Sequence, residues 1–180
     1  YTSIDELMEE ISGLRAGDPV RLVTELYKIY RTHHEETFDS FYFWGEMLLS
    51  DFDQVDKYLI DADMLFSNIS DLKVLESDFS YLSEEQIRII SRFWKSFGLE
   101  GEFSPEKQQF VRIWRTLAPI YHAYNDRLSS LSLAYTGMMH RRAAELIREG
   151  RVLSPAEPRR YVIAGFNALS ECEKILFDYL

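Results

Sequence analysis

The sequence predicts a mainly α-helical fold, and three observations point there. Apolar residues recur at spacings of three and four through most of the chain. A Ser or Asp stands at the head of many of these runs, and Gly and Pro are scarce, at eight and five of 180 residues. The spacing buries one face of a helix, whereas a sandwich or barrel needs many turns. The expected architecture is a multi-helix, bundle-like subdomain over residues 1–153. Residues 154–180 add a loop, a single strand and a helix, which could still belong to the same compact unit.

The elements follow in order. Ser3 with Glu6 forms a capping box ahead of Ile4, Leu7, Met8 and Ile11. Asp18-Pro19 supplies an N-cap and a first-turn proline before Leu22, Val23, Leu26, Ile29 and Tyr30. From Phe38 to Ile60 the stripe is densely aromatic, enough for one helix or two consecutive ones. Ser83 with Gln86 opens a helix through Ile87, Ile90, Phe93 and Trp94, and a loop follows at Gly98–Gly101. Ser104-Pro105 opens the longest pattern, through Trp114, Tyr121 and Leu128, where Pro119 should kink or divide the helix. A helix from about Leu133 to Arg148 is closed by Gly150. Ser154–Arg160 is loop, and Tyr161–Phe166 is short, apolar and β-branched, the pattern of a strand. Ser170 with Glu173 caps a last helix from Glu171. A lone strand needs neighbours for its backbone groups, so its sheet is expected to lie in other parts of a larger protein.

Composition narrows the class. Hydrophobic residues at 46% and charged residues at 28% describe a globular chain. The single cysteine, Cys172, excludes an internal disulfide and suits a reducing compartment, so a cytoplasmic location is expected. No apolar run approaches the roughly 20 residues that cross a bilayer, so no membrane partner is expected. Tyr1–Glu10 is acidic, unlike a signal peptide. The chain begins without Met and ends on the apolar run Ile175–Leu180, which reads as a piece excised from a larger protein.

Net charge is −10, unevenly spread. Residues 1–83 hold 18 acids and 6 bases, or −12; residues 84–180 hold 12 acids and 14 bases, or +2. The first half repels phosphate, and the second half permits it. Candidate DNA contacts therefore sit in the second half: Arg88, Arg92 and Lys95 on one helical face, then Arg141-Arg142 and Arg159-Arg160. The same residues would serve equally as polar faces paired with acids.

No catalytic, cofactor-binding or metal-ligating set emerges. His33-His34-Glu35-Glu36 holds ligand residue types, but neighbours on a helix point about 100° apart and cannot converge on one ion. Asp51-Phe52-Asp53-Gln54-Val55-Asp56 starts like a calcium loop, yet Asp56 stands where that loop needs glycine and Ala62 where it needs Glu. Its interleaved apolar residues favour a helix. Asp71-x-Lys73 lacks the strand and preceding Asp of a nuclease site, no P-loop is present, and Cys172 reads as packing.

Three blocks carry a family resemblance. Phe41–Asp56, with its aromatic Trp44-Gly45 step followed by Leu48-Leu49-x-Asp51-Phe52, is similar to a segment of AddB-like proteins. Ala134-Tyr135-x-Gly137-Met138-x-x-Arg141 resembles a second block of that family, and Gly165-Phe166-Asn167-Ala168-Leu169 a third, in the same order. The likeness covers most of residues 38–180. The family comprises PD-(D/E)XK nuclease proteins related to the AddB and RecB subunits of double-strand-break repair helicase–nucleases. It implies that residues 1–153 are a helical subdomain inserted in a helicase-like α/β domain, with 154–180 its exit. It implies a parent exonuclease using Mg in a separate nuclease domain, with DNA and a partner helicase subunit as partners. Active helicases end the corresponding strand in Asp-Glu; Gly165, Phe166, Asn167 and Ala168 offer no carboxylate, so the helicase-like domain is expected to be inactive. An acidic helical protein–protein interaction module without nucleic-acid binding is the alternative.

Overall fold

The computed structural model describes residues 1–68, 105–152, 161–165 and 168–180, apart from the side chains of 67, 68 and 105–112. The mainly α class is observed. Among the described residues are α1 (Ile4–Ser12), β1 (Arg15–Ala16), α2 (Pro19–Tyr30), α3 (Phe38–Lys57), α4 (Ala62–Asn68), α5 (Pro105–Ser130), β2 (Leu133–Ala134), α6 (Thr136–Arg148) and α7 (Glu171–Tyr179).

The caps explain the boundaries. The Ser3 hydroxyl accepts from the Glu6 N–H while the Glu6 carboxylate accepts from the Ser3 N–H, and Ser170 with Glu173 repeats the arrangement on α7. Asp18 accepts from the N–H groups of Val20 and Arg21 at 3.0 and 3.2 Å. Gly13, at φ +69°, turns the chain out of α1 toward β1, a left-handed conformation that glycine adopts without steric cost. The single long α3 settles the choice between one helix and two. Helix α5 runs unbroken past Pro119, which therefore does not divide it.

Helix α6 is the hub. It packs against α1, α3 and α7, while α2 bridges α3 and α5, and α4 lies on α5. One apolar core joins them, with Met8, Tyr30, Phe41, Phe52, Leu117, Tyr124, Met139 and Leu176 essentially sealed from solvent. Burial of large aromatic side chains is the main favourable term in a fold of this kind. Cys172 and Leu176 of α7 belong to the same core. Among the described residues, no helix is long and apolar enough to cross a membrane.

Two expectations about strands are corrected. Residues 133–134 leave the helical pattern and form β2, pairing in parallel with β1 as Arg15 with Leu133 and Ala16 with Ala134. The Arg15 and Gly17 N–H groups donate to the carbonyls of Ser132 and Ala134. So short a ladder leaves no periodic signal in sequence. Conversely, residues 161–165 form no strand: Val162 is 85% exposed, and Gly165 takes φ +83°. β-branched residues favour extension, but without a neighbouring strand there is no ladder to join. The expected helix from Ser83, the loop at Gly98–Gly101 and the loop at 154–160 lie outside the described residues.

Candidate functional site

The expected DNA-contact residues do not assemble into one face among the described residues. Arg88, Arg92, Lys95, Arg159 and Arg160 lie outside them, as does the Asp71-x-Lys73 pair. Arg142 stands half-exposed on α6, its nearest acid, Glu145, at 4.0 Å. Arg141 is a correction: its guanidinium turns inward. Its Nε donates to Asp56 at 2.6 Å, and its Nη2 donates to the carbonyls of Val55 and Ile60 at 3.0 and 2.7 Å. With those bonds made inside the fold, Arg141 serves structure rather than phosphate.

The reason lies in where Asp56 falls on α3. Phe41, Gly45, Leu48, Phe52 and Val55 form the buried stripe, and Asp56 falls on the same side with no exposed surface. A carboxylate taken out of water must be paired and hydrogen-bonded. Besides Arg141, the hydroxyls of Tyr121 from α5 and Tyr135 at the head of α6 donate to it. Burial pushes the Asp56 carboxyl above the usual range, while Arg141 and the two tyrosines pull it back. Burial and the Asp56 charge raise both tyrosine hydroxyls well above their ordinary value. The cation also meets the Val55 carbonyl in the last turn of α3, the negative end of that helix. Nearby, burial pushes the Cys172 thiol up to about 12, and its Sγ rests 3.4 Å from the Asp56 carbonyl. A protonated, buried thiol is a packing group and no nucleophile.

One turn earlier, Asp53 ties α3 to the start of α6. Its Oδ1 accepts from the Gly137 N–H at 2.6 Å, capping a helix whose own N-cap residue, Tyr135, supplies no side-chain bond. Its Oδ2 pairs with Lys57 at 2.8 Å. The approach is close enough that a Cβ on Gly137 would stand 2.2 Å from the Asp53 carbonyl oxygen. The acidic run 51–56 is thus a helix, as its interleaved apolar residues indicate, with Asp53 and Asp56 turned toward α6. His34, half-buried, stacks on Tyr30 and bonds Thr116 at 2.8 Å, and burial lowers its pKa. Among the described residues no group of three or more His, Cys, Asp or Glu is arranged to hold a metal.

Beside this seam lies a cavity of about 400 Å³. The β1–α2 turn (Ala16, Gly17, Pro19), Leu22 and Val23 of α2, and Ala134, Tyr135 and Thr136 form three of its sides. Glu46, Leu49, Ser50 and Asp53 of α3 form the fourth. Leu22, Val23 and Leu49 give it apolar surface, and its polar side groups are acidic or neutral. Glu46 of the wall accepts from the Tyr42 hydroxyl, and that bond, with burial and the charges of Glu46 and Asp18, raises the hydroxyl's pKa. Sequence periodicity misses the cavity because its walls come from segments far apart in the chain. The only trace of the buried seam is an aspartate set within an apolar stripe. No protein-family model, curated protein or solved structure matches the chain.

Proposed function

We propose that this chain is a non-catalytic helical region of a DNA double-strand-break repair helicase–nuclease of the AddB type, supporting DNA handling or subunit docking. One observation supports the reading more than any other. Two of the three sequence blocks that resemble the family meet in space, the second through residues of its own pattern. Asp56 of the first block is bonded to Tyr135 and Arg141 of the second, and Gly137 lies against Asp53. The spacing of both blocks thereby acquires a physical reason: together they build one junction between α3 and α6. The third block leads into α7, whose Cys172 reaches the Asp56 backbone.

The parent protein on this reading is an exonuclease with a separate Mg-dependent nuclease domain and a helicase-like domain without ATP hydrolysis. A second reading, an acidic helical interaction module without nucleic-acid contact, is favoured by the exposed apolar and acidic face of α3. DNA binding at two salt concentrations separates them. Duplex and single-stranded oligonucleotides are titrated at about 50 and about 200 mM salt, where phosphate contacts weaken steeply with added ions. The repair reading expects salt-sensitive affinity in which Arg142→Ala weakens binding without loss of stability. Absence of binding at low salt would remove DNA handling and leave docking.

A further inference from the structure

The surface around the cavity combines features that the buried seam does not explain. Phe43 and Met47, 76% and 45% exposed, follow one another at i and i+4 on α3. Helical spacing puts Phe43 about a sixth of a turn from Glu46, and Met47 about a sixth of a turn from Ser50, both residues of the cavity wall. Val20, also exposed, stands on the first turn of α2, whose Pro19 lines the opposite wall. Large apolar side chains left in water are costly unless something covers them.

Charge decides the kind of partner. Glu46 and Asp53 line the cavity, and Asp18 lies near enough to perturb Tyr42 beside it. The positive N-terminus of α6 opens here too, but the Asp53 carboxylate already occupies its Gly137 N–H. Lys57 offsets Asp53 and Asp18 caps the N-terminus of α2, leaving Glu46 as the negative charge of the wall. The site is therefore unsuited to phosphate and complementary to a cation carried on an apolar stem.

We propose that the outer face of α3, with the cavity beside it, docks a basic amphipathic segment of a partner protein. Apolar side chains of that segment cover Phe43, Met47 and Val20, and one lysine or arginine enters the cavity toward Glu46. The proposal rests on the docking half of the reading above and names its surface. It follows the helix-in-groove mode, in which spaced anchors supply affinity and rim charges set partner choice.

The probe is a fluorescein-labelled, 18-residue synthetic peptide of leucine and arginine patterned as an amphipathic helix, titrated into the full chain by anisotropy. Expected is saturable one-to-one binding. Glu46→Lys should weaken it by about tenfold, and the charge-neutral Phe43→Ser by a similar factor. Asp178→Lys on α7, which lines no part of the cavity, changes net charge by the same amount as Glu46→Lys and should leave affinity within about twofold. Equal losses in the two lysine variants would mean diffuse attraction to an acidic protein and would overturn the site. Lack of peptide binding would overturn it as well, and neither result touches the DNA or nuclease tests of the wider reading. Unchanged helicity by circular dichroism verifies that each variant is folded.

Discussion

The two faces of α3 use the same residue types for opposite ends. Inward, Phe41, Leu48, Phe52 and Val55 are buried, and Asp56 is paired with Arg141 and hydrogen-bonded by two tyrosines. Outward, Phe43 and Met47 lie open beside Glu46. An aromatic residue and a carboxylate on a helix are thus evidence of nothing until it is known what faces them. The inner face holds the fold together and gives up its chemistry to do so. On our reading, the outer face keeps its chemistry available.

The sharpest way to break this contrast is to unpair the seam. Asp56→Ala takes the paired carboxylate away from half-buried Arg141 and removes one acceptor from each of Tyr121 and Tyr135, which keep Asn125 as a partner. The expected loss is about 3–5 kcal/mol of stability, read from urea unfolding. A loss under about 1 kcal/mol would mean the pair behaves as a surface salt bridge. Next comes Gly137→Ala. The added methyl group meets backbone rather than a movable side chain, so a cost of about 1–3 kcal/mol is expected, again by urea midpoint. Neutral behaviour would show that α3 and α6 slide apart freely.

A third experiment uses acid. Glu25 is buried, which alone would raise its pKa, but Lys28 and Arg127 together hold it below the ordinary 4.5. A depressed carboxylate contributes stability that is present above its unfolded value and lost as pH falls through the folded one. Stability should therefore decline as pH drops below about 4.5, and Glu25→Gln should flatten that decline in urea midpoints measured from pH 6 to pH 3. An equally steep profile in the variant would remove the pair from the account. The smallest effect belongs to the outer face. Phe43→Ser and Met47→Ser should each change stability by no more than about 0.5 kcal/mol, because both side chains are exposed and Phe43 meets Tyr42 only edge-on. A larger loss in calorimetry would place them in the fold's own interior.

How much of this was legible in the sequence depends on the range of the interaction. Capping boxes at Ser3 and Ser170, the Asp18-Pro19 start and the long apolar stripes are local, and they located most helices to within a residue or two. The strand expected at Tyr161–Phe166 also followed local preference, yet pairing is a non-local matter and residues 161–165 have no ladder. Sequence alone does not separate Arg141 from Arg142 as a candidate phosphate contact or a partner for acids, because adjacent arginines look alike there. Only the fold shows that Arg141 faces Asp56, 85 residues away, while Arg142 faces out. The cavity was invisible for the same reason, its walls drawn from β1, α2, α3 and the start of α6.

The proposed parentage makes the most exposed claim, and one measurement addresses it directly. The protein encoded by the whole reading frame containing this chain would be purified and given linear duplex DNA with and without Mg²⁺. The account predicts exonucleolytic digestion from the ends that stops when the metal is chelated. A full-length protein that leaves linear DNA intact under every metal condition would contradict it.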